Sequence, residues 1–138
     1  MPDSTQRLTD SSNKYTLRFD QLQLAIEHLY KAIELLETAK SKLSEGIVSG
    51  AELSSMLAES WLEVNKCRLY TESMLMFEEL LVPSLGLIND AKCMLESSIA
   101  WHLGLTANGY LNIVNCINLA ICEGIRPCLE ELETWLSE

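Results

Sequence analysis

The chain has 138 residues, nearly half of them hydrophobic, and a formal net charge of −10. That length suits one domain with a sizeable core, and the scarcity of Gly and Pro excludes a disordered chain. The acidic balance excludes phosphate-directed nucleic-acid binding, which needs clustered Lys and Arg, and disfavours an anionic membrane surface; a basic partner or plain solubility suits it better.

Residues 1–13, rich in Ser, Thr and Asp, read as a flexible N-terminal tail, and 14–138 as a single helical-bundle domain. The opening "MPDSTQRLTDSSNKYT" has no apolar h-region, so no secretory signal is expected. Helical periodicity starts near Tyr15. Leu22, Ile26, Leu29, Ile33, Leu36, Leu43 and Ile47 step by four and three, with Lys40 interrupting. This heptad-like face runs for about thirty residues. Gly46 and Gly50 are natural helix-ending or turn residues, and Ser49 can cap the next helix.

A second stripe runs through Leu53, Leu57, Trp61, Val64, Cys67, Tyr70, Met74, Phe77 and Leu81. Pro83 is expected to stop it, because proline lacks a donor and restricts the residue before it. Ser84 can cap a third helix with Ile88, Ala91, Leu95 and Ile99 on its apolar face. Asn108-Gly109 suits a left-handed helix end, so a turn is expected there and a fourth helix over roughly 110–123. Gly124 and Pro127 then mark a kink or break before a short final helix, "PCLEELETWLSE". No strand signal appears. The expected fold is all-α: an antiparallel up-down bundle of four main helices plus a short C-terminal helix.

The chemistry of the chain is sparse. A di-metal carboxylate bundle needs Glu three residues before His, but Ala25 precedes His28 and Ile99 precedes His102. Cys116, Cys122 and Cys128 recur every six residues, so one helix cannot bring them to one metal. Phosphate loops, nucleophile elbows and dinucleotide fingerprints are missing. No enzyme activity, metal or cofactor is expected. The acidic residues Glu52, Glu59 and Glu63 read as a solvated face, His28 as a surface residue, and Glu130, Glu131 and Glu133 as helix-dipole partners after Pro127. Five cysteines without a CxxC pair read as reduced thiols in a cytoplasmic protein. Ser97 to Cys122 carries no Asp, Glu, Lys or Arg, but His102, four Asn and two Gly argue against a membrane span.

The most informative stretch is "YLNIVNCINLAIC", residues 110–122. On a helical wheel Asn108, Asn112, Asn115 and Asn118 gather within a sector of about 120°, joined by Leu111 and Leu119. Ile113, Ile117, Ala120 and Ile121 take the opposite side. Such a face can be ordinary surface, a protein interface in which amides are buried more cheaply than charges, or a ligand cavity. The expected function is a non-enzymatic interaction or adaptor module that binds a partner protein or itself through this face. Trp135 is a further candidate anchor. The alternatives are an acidic inhibitor occupying the basic groove of a nucleic-acid-processing partner, and a small-molecule carrier with an apolar cavity. The segment "LYKAIELLETAKSKLSEGIVSG" and the amphipathic helix after it resemble the helix hairpin of microtubule-interacting-and-trafficking domains. That resemblance implies a small helical module binding partner helices in a groove, and it carries over no binding residues.

Overall fold

In the computed structural model, described over residues 2–45, 50–72, 74–97 and 107–137, every regular element is helical. They are α1 (Pro2–Glu45), α2 (Gly50–Tyr70), α3 (Leu75–Ser97), α4 (Ala107–Ala120), a π-helical turn (Ile121–Ile125) and α5 (Arg126–Ser137). The backbone of α1 is helical from Pro2 rather than from Tyr15, and proline's fixed φ suits a first helical turn. The expected turn residue Gly46 and cap Ser49, and Ile47, Ile99, Trp101 and His102, lie outside the described residues, while Gly50 is the first residue of α2.

The core face of α1 is a strict heptad. Leu22, Leu29, Leu36 and Leu43 are buried, and so are Ala25, Ala32 and Ala39 in the alternate positions. Leucine fills space while alanine lets a neighbouring helix approach. Consecutive helices pack on one another, and α5 returns to α1. Polar pairs mark the seams. Lys42 meets Glu52 at 2.9 Å and His28 meets Glu63 at 2.5 Å between α1 and α2. Ser54 donates to Glu96 at 2.7 Å, and Arg68 lies 3.4 Å from Glu78, between α2 and α3. Lys40 donates to Asn118 and Tyr30 to Glu133, tying α1 to α4 and α5.

The helix break falls at Thr71, not at Pro83. The amide of Thr71 donates to the Cys67 and Arg68 carbonyls, its hydroxyl reaches the same two oxygens, and the Met74 amide closes the turn on the Thr71 carbonyl. Tyr70, assigned to the apolar stripe, is exposed, while Thr71 is buried. Pro83 instead sits inside α3. It is solvent-exposed, so water can satisfy the carbonyl its ring leaves without a donor, while Phe77, Leu81, Leu85 and Ile88 on either side are buried. Tertiary burial carries the helix through the proline. Ser84 therefore caps nothing; it is buried mid-helix and donates to the Leu80 and Ala120 carbonyls at 3.3 and 2.9 Å.

Asn108-Gly109 is likewise no turn, because both residues lie in the first turn of α4. Nor does the chain break at Gly124. The Arg126 amide donates to the Ile121 carbonyl five residues back, so α4 runs into α5 through a π turn. That extra residue relieves the clash Pro127 would otherwise make with the carbonyl four residues before it.

Candidate functional site

The wheel placement of α4 matches the structure. Ile113, Ile117, Ala120 and Ile121 are fully or almost fully buried. Asn112 and Asn115 are exposed, and beside them Leu111 and Leu119 are 54% and 41% accessible. No residue of α4 carries a charge. Asn118 stands at the edge of this face, half-buried, its side-chain oxygen accepting the Lys40 ammonium at 3.0 Å. Thus the lysine that interrupts the α1 stripe has a cross-helix partner. The side chain of Asn108 lies outside the described residues. Trp135 belongs to α5 and is half-buried, its ring edge-on to Phe77 of α3 with centroids 5.8 Å apart.

A second feature is one that spacing along the chain does not reveal. An open-sided hollow of about 350 Å³ lies between α2 and α3, lined by Ala58, Trp61, Leu62, Asn89 and Lys92. Lys92 at its rim pairs with Glu96 at 3.2 Å. The Ser54 hydroxyl and the Lys92 charge together hold the Glu96 carboxyl below its ordinary range. Leu62 and Leu69 are half-exposed or more and sit off the buried α2 stripe, seven residues apart.

Two residues expected on a solvated face form a partly buried pair. The side chains of His28 and Glu63 are only 14% and 16% exposed, and the imidazole stacks on Tyr70 at 5.7 Å. Burial pushes the Glu63 carboxyl up, but the His28 hydrogen bond and the charges of His28, Lys66 and Lys31 outweigh it and leave it below its ordinary value. Glu52 and Glu59 are exposed as expected. The cysteines divide: Cys67 and Cys128 are buried, Cys116 is half-buried, and Cys93 and Cys122 are exposed. Burial and the nearby Asp90 charge push the Cys116 thiol up. Among the described residues, no group of three or more His, Cys, Asp or Glu is arranged to hold a metal ion. No described helix is long and apolar enough to cross a membrane.

No family model, curated protein or solved structure matches this chain. The functional reading therefore rests on its own faces and pairs.

Proposed function

We propose that the chain is a non-enzymatic interaction module, an antiparallel up-down bundle that binds a protein partner or a second copy through the outer face of α4. The antiparallel reading draws on the seams: from Lys42–Glu52 to His28–Glu63, residue numbers fall on α1 as they rise on α2. Ser54–Glu96 and Arg68–Glu78 behave the same way between α2 and α3. One observation carries the binding face: Leu111 and Leu119 are half-exposed beside the exposed Asn112 and Asn115 on a helix without charge. Docking there buries two leucines and desolvates only neutral amides, which can pair with a partner's polar groups at lower cost than carboxylates or ammoniums. Asn118, engaged by Lys40, would form the rim. Five free thiols suit a reducing, cytoplasmic setting.

The test is to place Glu at Asn115 or Leu119 and measure self-association by sedimentation and partner capture by pull-down. Association should fall at least tenfold while helix content and unfolding midpoint stay unchanged. Unaltered association in both variants would sink the proposal. Small-molecule carriage has one observation in its favour, the apolar hollow between α2 and α3, whose volume is that of a small ligand site. Native mass spectrometry of the purified chain separates the two readings, reporting a bound small molecule or a second protein mass.

A further inference from the structure

The hollow between α2 and α3 takes its lining from one face of each helix. Ala58, Trp61 and Leu62 stand three and four residues apart on α2, and Asn89 and Lys92 three apart on α3. Ala58 is the smallest of the five, and a bulkier side chain there would take up part of the space. The walls are chemically divided. From α2 come a half-buried indole, an exposed leucine and a methyl group; from α3 come an exposed amide and an ammonium. Among the lining residues Lys92 alone is charged, and it is positive in a chain of net charge −10. Its partner Glu96 stands outside the lining, one turn further along α3. The Glu96 Oε1 accepts the Ser54 hydroxyl at 2.7 Å as well as the Lys92 ammonium at 3.2 Å. An ammonium has three N–H donors, so that contact leaves Lys92 with donors for an acceptor in the hollow.

We propose that this hollow binds a small aromatic carboxylate, its ring against Trp61 and Leu62 and its carboxylate against Lys92 and Asn89. The assignment rests on carriage of a small molecule in the hollow and is independent of the α4 face. Small-ligand sites run from roughly 300 to 1,000 Å³, so a volume of about 350 Å³ suits a compact molecule of one or two rings. A flat ring gains from an indole beyond the area it buries, because the edge of one π system meets the face of the other. The negative end of the ligand belongs on the α3 side, where the ammonium attracts it and the amide can donate to its second oxygen. A ligand cation would meet Lys92 as a like charge, and a neutral ring would leave the ammonium unused. Glu96 limits the affinity, since it competes for Lys92 and repels a second carboxylate nearby.

The experiment titrates the full chain, labelled with nitrogen-15, with 2-naphthoate and follows the backbone amides by NMR. The expected result is one saturable site, with shifts centred on residues 58–62 and 89–92. Lys92→Met should weaken binding about fivefold, the size expected for a partly exposed ion pair. Glu96→Gln should tighten it about twofold, because the competing charge is gone while an acceptor for Ser54 remains. Ala58→Phe should abolish binding by filling the space; if that variant loses its helix content, the Lys92 and Glu96 variants decide. Two further probes test the class: 2-naphthalenemethanol keeps the rings without the charge, and octanoate keeps the charge without the rings. Either one binding as tightly as 2-naphthoate would overturn the aromatic-acid assignment and leave carriage standing. No saturable shift with any of the three would overturn both. Equal affinity in Lys92→Met, or shifts centred on Asn112 and Asn115 of α4, would also overturn the assignment.

Discussion

Replacing Gly124 with Ala tests the closest contact between the π turn and α3. A Cβ at Gly124 would overlap the Ser84 hydroxyl oxygen and stand 2.6 Å from the Leu80 carbonyl oxygen and 3.0 Å from Ser84 Cβ. An ordinary contact is about 3.5 Å, so α3 would have to retreat by nearly 1 Å at the carbonyl alone. The hydroxyl can rotate away only by giving up the Ala120 carbonyl at 2.9 Å, and it is buried. Orphaning it costs about 1–3 kcal/mol, and overpacking against backbone another 1–3 kcal/mol or so. Alanine's better helix propensity returns about 1 kcal/mol. The net expectation is a destabilisation of about 3 kcal/mol, read as a fall in Tm of roughly 10 °C. Gly86 is the control: it is exposed and a Cβ there meets nothing within 4 Å, so Gly86→Ala should stabilise by about 0.5–1 kcal/mol. Adding Ser84→Ala to Gly124→Ala should restore only part of the loss, because the Leu80 carbonyl remains. Thermal unfolding of the parent and these three variants checks the scheme. A Gly124→Ala protein as stable as the parent would refute the close approach.

Three further outcomes are expected. Pro83→Ala should raise the urea midpoint, by about 1–3 kcal/mol in stability, since it restores an α3 hydrogen bond at an exposed position; a loss would mean that the proline shapes the packing of α3. Thr71→Val should cost about 0.5–1.5 kcal/mol by removing the hydroxyl's bonds to the Cys67 and Arg68 carbonyls, which keep the Thr71 amide, measured by the same denaturation. The Glu63 carboxyl titrates below its ordinary 4.5 in the folded chain, so its stabilising contribution is complete above that value and is lost as pH falls through the lower folded value. Stability measured between about pH 6 and pH 3 should therefore fall less steeply in Glu63→Gln than in the parent; identical slopes would show that the His28 pairing does not couple to folding.

Much of the helical plan was legible because helical burial has a local period. The leucines of α1 and the isoleucines of α4 announced their faces through spacing alone, and both faces are buried as expected. The exposed side of α4 was legible for the same reason, down to Leu111 and Leu119. The break between α2 and α3 was hidden because its turn preserves the phase of the stripe: Cys67 and Phe77 are both buried although Thr71, Glu72 and Met74 between them lie outside the helices. The hollow beside Trp61 was hidden with it, since it needs α3 packed against α2.

What the sequence determined by itself is the class of structure and the inward faces of α1 and α4, for hydrophobic periodicity is a property of neighbours along the chain. The tertiary structure alone decided that Pro83 is absorbed into α3, that Gly124 must be small because Ser84 lies against it, and that His28 meets Glu63. Apart from the proline, each of these joins residues far apart in the chain, and such pairs carry no signature in spacing. They exist only once the packing of several apolar faces has chosen which helix lies beside which.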